Sequence, residues 1–78
     1  MTLVDKLATE VAEEFGISEG AIRGKGRMPE VSMARRALFA RLHDAGMSAA
    51  EIGRQLGKDH SSVLAGIRKH NGGVLRDD

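Results

Sequence analysis

Apolar residues recur at helical spacing along most of this chain. Leu3, Leu7, Val11 and Phe15 form a first stripe, and Gly16 stands where such a helix would end. A second stripe, on a longer segment, consists of Val31, Ala34, Leu38, Leu42 and Ala45. No alternating strand pattern and no repeat is present. The pattern therefore predicts an all-α fold.

Capping signals divide the pattern into five helices. Thr2, Ser18 and Ser48 are N-cap candidates, and Pro29 suits the first turn of a third helix. Asp5 and Glu51 each lie three residues after a cap, which predicts capping boxes at Thr2 and at Ser48. The last two helices are short and are separated by two or three residues around Gly57, a spacing typical of a helix-turn-helix. We expect one small five-helix domain over residues 1–71 and a loosely ordered tail over residues 72–78.

Composition excludes several classes of protein. The 78 residues include no cysteine, so neither a disulfide framework nor a thiolate metal site is expected. No apolar run approaches the roughly 20 residues that span a bilayer, and we expect a cytoplasmic protein. The three histidines lack metal-ligand spacing, and no serine has a histidine–carboxylate arrangement that would activate it. The sequence thus predicts no enzyme activity, no cofactor and no metal.

Charge is unevenly distributed, although the formal net charge is only +1. Residues 1–19 sum to −4, whereas residues 20–41 sum to +5. An acidic start followed by a basic middle is typical of a protein that binds a polyanion on one surface.

The predicted last helix has an unusual outer face. Val63, Leu64 and Ile67 share the face that should point inward. The opposite face then carries small or polar residues, namely Ser61, Ser62, Ala65, Gly66 and Lys69. Small residues let a helix lie close to a partner, and free N–H groups and hydroxyls at its first turn suit phosphates and base edges. The segment therefore favours a recognition helix in the major groove of DNA.

At these residues the chain also resembles a known family, the C-terminal DNA-binding domain (domain IV) of the bacterial replication initiator DnaA. The resemblance extends over about residues 4–70. The segments that carry it are Val11-Ala12, Phe15-Gly16-Ile17, Gly24-Lys25-Gly26-Arg27, Ala34-Arg35-Arg36, Glu51-Ile52-Gly53, Lys58-Asp59-His60-Ser61-Ser62-Val63 and Ile67-Arg68-Lys69.

The resemblance implies roles for individual residues. By match, Arg27 in the glycine-containing basic loop would enter the minor groove of a short, non-palindromic DNA box. The major-groove readers would be Asp59, His60, Ser61 and Ser62. Further basic residues expected near the DNA are Lys25, Arg35, Arg36, Lys58 and Lys69. The family usually has arginine where Lys58 stands and often threonines where Ser61 and Ser62 stand.

Several of these residues have a purely structural alternative. Asp59 is also a good N-cap, and His60 could be an ordinary surface residue. Arg27 could be a solvated loop arginine. Of Arg35 and Arg36, one could lie along the protein surface or pair with Glu30 while the other contacts phosphate.

We therefore expect sequence-specific binding to double-stranded DNA, as a monomer, at sites like the boxes of the initiator. The process would be replication control or transcription regulation at the nucleoid, with host or phage replication proteins as further partners. The alternative is a protein-interaction module that recruits or titrates a replication or transcription factor, with the acidic first helix as its working surface.

Overall fold

A computed structural model describes residues 2–71 of the chain and contains five helices and no strand in that range. The all-α prediction is confirmed, and the predicted tail at 72–78 lies outside the described residues. The helices are α1 (Leu3–Phe15), α2 (Glu19–Arg23), α3 (Pro29–Asp44), α4 (Ala49–Leu56) and α5 (His60–His70). Between residues 2 and 71, no helix has both the length and the apolar character needed to cross a membrane.

Local capping explains where the helices begin. Thr2 and Asp5 form a complete capping box at α1, with the Thr2 hydroxyl accepting from the Asp5 N–H at 3.1 Å. Ser48 caps α4 by accepting from the Glu51 N–H at 3.1 Å. The predicted return bond from Glu51 is absent, because its carboxylate instead accepts from Arg54 and Gln55.

The hydrophobic core surrounds α3, which packs against each of the other four helices. Leu38 and Leu42 are fully buried, as expected from the second apolar stripe. Phe39 is buried as well, because helices cover α3 on more than one side. The prediction was wrong for Ala45, which is exposed and forms the C-cap just beyond the end of α3.

Helices α4 and α5 form the predicted helix-turn-helix. Gly57 ends α4 with a left-handed backbone (φ 69°) that glycine adopts without strain. The Lys58 N–H then donates to the Gly53 carbonyl at 2.8 Å. A Cβ atom on Gly53 would lie 2.6 Å from the Lys58 carbonyl oxygen, so this close approach depends on glycine.

The packing of α5 corrects one sequence prediction. Gly66 was expected on the outer face, but it is buried against α3. A Cβ atom there would lie 2.7 Å from Cδ2 of Phe39. The small residue at position 66 therefore allows two helices of the protein to pack closely. The other predicted outer residues are exposed, namely Ser61, Ser62, Ala65 and Lys69.

Candidate nucleic-acid interface

An open groove of about 630 Å³ lies between α3, α5 and the loop of residues 24–28, which we call the basic loop. Its lining contains six cationic residues and no aspartate or glutamate, and we call it the cationic groove. The cations are Lys25, Arg27, Arg35, Arg36, Lys58 and Lys69. Together with Ser62, they are seven of the ten predicted site residues.

Positive charge elsewhere in the basic segment is paired with acidic residues. Arg23 contacts Asp5 at 2.8 Å and Glu19 at 3.0 Å. Arg41 donates two hydrogen bonds to Glu14, at 2.6 and 2.7 Å, and these bonds hold the Glu14 pKa below its ordinary value. The groove cations form no ion pair within residues 2–71. Uncompensated positive charge is therefore concentrated in the cationic groove.

Arg35 is bound to the backbone at three points. Its guanidinium donates to the carbonyls of Ile22 at 2.7 Å, Gly26 at 3.0 Å and Ala21 at 3.1 Å. Partial burial lowers its pKa from the ordinary arginine value. The expected alternative of a pair with Glu30 is not formed by either Arg35 or Arg36.

Lys58, in the turn of the helix-turn-helix, also binds the basic loop. Its ammonium donates to the Gly24 carbonyl at 2.5 Å. Burial lowers the Lys58 pKa, and the positive charges of Arg35 and Lys25 lower it further. Two cations of like charge therefore lie against the same short loop.

Lys25 and Arg27 behave differently from these two residues. Both side chains are exposed, and neither donates a hydrogen bond to the part of the chain that the structure describes. The basic loop thus exposes two cations to solvent, while Arg35 and Lys58 bind its backbone carbonyls.

The first turn of α5 lies beside the cationic groove and faces solvent. Asp59 occupies the N-cap position with an extended backbone, but its carboxylate makes no capping hydrogen bond. Asp59 is therefore the N-cap residue by position, but its side chain does not cap the helix. His60 and Ser61 are exposed and, like Asp59, lie outside the groove lining. The first-turn N–H groups precede the regular helical bonding and stay available to a partner.

The sequence prediction missed two residues that shape the groove. Both Ser32, one helical turn before Arg36, and Phe39 line it from α3. The spacing of three to four residues from Arg35 and Arg36 is the signal that would have placed Ser32 on the same face. No group of three potential metal ligands occurs among residues 2–71.

Comparison with known proteins identifies relatives of this chain. The family described as bacterial dnaA protein helix-turn-helix matches residues 4–69. The chain is 37% identical over 67 residues to a chromosomal replication initiator protein DnaA of Herpetosiphon aurantiacus, covering 83% of this chain and 14% of that protein. The same identity and coverage hold for the DnaA of a Synechococcus strain. The DnaA of Deinococcus deserti is 38% identical over 61 residues, covering 77% of this chain and 13% of that protein.

The chain thus spans only about one seventh of the length of these relatives. No solved structure gives a significant match. The family match nevertheless extends from the first turn of α1 to the last turn of α5 and includes the helix-turn-helix and the basic loop. This chain therefore belongs to the bacterial DnaA helix-turn-helix family.

Proposed function

We propose that this chain binds double-stranded DNA sequence-specifically, with α5 in the major groove and Arg27 in the adjacent minor groove. The observation that carries the proposal is the cationic groove, which lies directly beside the exposed first turn of α5. A duplex placed against α5 brings its phosphates to this groove, where their charge is compensated.

The geometry supports a division between positioning and reading. Arg36 and Lys69 line the groove on α3 and α5 and are suited to contact phosphates. Ser61 and Ser62, with His60, present small polar groups to base edges. Asp59 can accept a hydrogen bond from a cytosine amino group, since no capping bond engages its carboxylate.

The relatives are named as chromosomal replication initiators. We therefore propose that the DNA sites are short boxes of the kind that the initiator family binds, occupied by one molecule each. Binding at such boxes would act in replication control or transcription regulation at the nucleoid, without catalysis by this domain.

The alternative of a protein-interaction module has less support. It requires the acidic face of the first helix to be a working surface. Asp5, Glu14 and Glu19 are instead engaged in ion pairs with Arg23 and Arg41. Of the four carboxylates on α1, only Glu10 and Glu13 are left outside these ion pairs, so DNA binding is the function that the geometry favours.

The test begins with selection of the preferred duplex from a random pool, followed by affinity measurements across a salt series. If about four to six phosphates are contacted, the logarithm of the binding constant should fall with log salt with a slope of about −4 to −5. A flat salt response would contradict DNA binding.

Two neighbouring residues of α5 provide a matched pair of variants. Lys69 lines the cationic groove, whereas Arg68 is exposed outside its lining. Lys69→Met should weaken binding to all duplexes about equally, and Arg68→Met should have little effect.

Ser62→Ala should cost about 1–3 kcal/mol of binding free energy on the preferred site and less on random DNA. Equal losses on both kinds of DNA for Ser62→Ala would remove α5 as the reading element.

A further inference from the structure

The basic loop has no regular secondary structure between α2 and α3. Its path is nevertheless fixed by side chains from two other elements. Arg35 of α3 and Lys58 of the helix-turn-helix turn together donate four hydrogen bonds to backbone carbonyls between residues 21 and 26. We call these four bonds the loop clamp.

Arg35 connects the end of α2 to the middle of the basic loop. Two of its bonds go to the carbonyls of Ala21 and Ile22, in the last turn of α2, and the Ala21 carbonyl also accepts from the Gly24 N–H. The third goes to Gly26, next to Arg27. One rigid guanidinium therefore sets the distance between the end of α2 and the residue before Arg27.

Lys58 adds a connection to the helix that reads DNA. Its bond to Gly24 joins residues 34 positions apart and links the basic loop to the turn that opens α5. Without this bond, only α3 and α2 would position the loop. With it, the loop and the first turn of α5 share one point of attachment.

The placement of both cations is electrostatically costly in the free protein. Each is partly buried, and the pKa of each is lowered. A cation whose only task was to meet phosphate would be better solvated, as the exposed side chains of Lys69 and Arg27 are. The hydrogen bonds to carbonyls are what offsets this cost.

We propose that Arg35 and Lys58 are positioning residues that lock the basic loop to the helix-turn-helix, so that Arg27 and α5 meet adjacent grooves of the duplex as one preformed unit. The effect on DNA affinity rests on the proposed DNA-binding function, but the clamp itself is a property of the free protein. The clamp raises affinity because the basic loop is already ordered before DNA binds.

A double-mutant cycle separates this role from a direct phosphate contact. Lys58→Met removes the donor while keeping the side-chain length, and Arg27→Ala removes the residue that the loop delivers. Arg27 makes no hydrogen bond to the described residues, so its removal leaves the clamp in place. Lys69→Met is the matched control, since Lys69 lines the same groove and donates to none of the described residues.

The expected result is non-additivity for Lys58 only. Lys58→Met should weaken binding to the preferred duplex about tenfold, and by less than about threefold when Arg27 is already alanine. Lys69→Met should cost the same factor in both backgrounds. If Lys58→Met costs the same factor in both backgrounds and also reduces the salt slope by about one, Lys58 is a phosphate contact and the proposal is overturned.

A second measurement uses the free protein and does not depend on DNA binding. Backbone amide order parameters of residues 25–27 should fall from about 0.85 toward 0.6 or below in Lys58→Met and in Arg35→Lys, and should be unchanged in Lys69→Met. Unchanged order in both variants would overturn the clamp. If the parent chain bound no duplex at all, the proposed function would fail, and these order parameters would still decide whether the clamp exists.

Discussion

Arg27 and Arg35 lie in the same basic segment of the sequence but have different surroundings. Arg35 donates three hydrogen bonds to the backbone, whereas Arg27 is exposed at the edge of the cationic groove. At the scale of single residues, one arginine binds the backbone of its own protein and the other is exposed to solvent. Substitutions of Arg35 should therefore affect the structure of the basic loop, whereas substitutions of Arg27 should affect only what its exposed side chain contacts.

The minor-groove role of Arg27 can be tested by keeping its charge. Arg27→Lys retains a cation but loses the planar guanidinium and is more strongly hydrated. On a preferred site with an A·T-rich flank, we expect it to bind roughly fivefold or more weakly than the parent, because that flank has a narrow and strongly negative minor groove. Affinities of both proteins at one salt concentration are the measurement.

A change of the flank provides the control for Arg27. With a G·C flank, the guanine amino group obstructs the groove floor for both side chains, so the difference between them should shrink. If Arg27→Lys matches the parent on both duplexes, Arg27 is only a charge facing phosphate.

Sequence reasoning worked for residues whose role depends on near neighbours in the chain and failed for those that depend on packing. Thr2 with Asp5 predicted a capping box that is present, because both partners lie within one turn. Gly66 looked like an outward residue, because nothing local reveals that Phe39 covers it. The backbone bonds of Arg35 were equally hidden, since their acceptors lie 9 to 14 positions away.

At the scale of elements, the helix-turn-helix depends on one close contact between backbones. Gly53→Ala places a methyl group 2.6 Å from the Lys58 carbonyl, and a backbone atom cannot move aside cheaply. We expect the variant to lose about 1–3 kcal/mol of unfolding free energy, as for overpacking in a core. Chemical denaturation followed by circular dichroism measures the loss.

Gly20→Ala is the matched control for Gly53→Ala. Gly20 is exposed in α2, and a Cβ atom there would approach only Ser18 Oγ, at 4.0 Å. Alanine has the higher helix propensity, so stability should stay the same or rise by up to about 1 kcal/mol. A Gly53→Ala variant as stable as Gly20→Ala would mean that the turn relaxes without cost.

At the scale of the whole molecule, α1 and α2 are joined by charge. Asp5 accepts a hydrogen bond from the Thr2 backbone N–H and faces Arg23. These contacts lower the Asp5 pKa, with the Thr2 bond as the largest cause. A carboxyl whose pKa is lower in the folded state stabilises the fold above its unfolded pKa, and the contribution disappears as pH falls through the folded pKa.

Asp5→Asn should therefore lower the Tm at neutral pH, and the difference from the parent should shrink below about pH 4 as Asp5 itself becomes protonated. Asparagine retains an oxygen that can accept from Thr2, so the variant reports mainly the charge. Thermal unfolding of both proteins between about pH 7 and pH 3 is the measurement. A Tm difference that stays constant across this range would show that the charge of Asp5 is not what stabilises the fold.

Charge sums along the sequence correctly separated an acidic start from a basic middle, but they did not show which cations remain uncompensated. Arg23 and Arg41 belong to the basic segment and are paired with carboxylates. Lys58 and Lys69 come from elsewhere in the chain and complete the cationic groove. Only the folded arrangement distinguishes the two sets.

The pairing of charges around α1 also bears on how such a domain would search for its site. The chain carries six groove cations but a net charge of only +1. At long range its electric field is therefore closer to that of a dipole than to that of a cation. Beyond about 8 Å, physiological salt screens what remains of its field. Attraction to DNA then acts mainly near contact and only when the groove faces the duplex. A domain built in this way should leave unrelated sequences quickly, and its residence time should depend chiefly on base contacts.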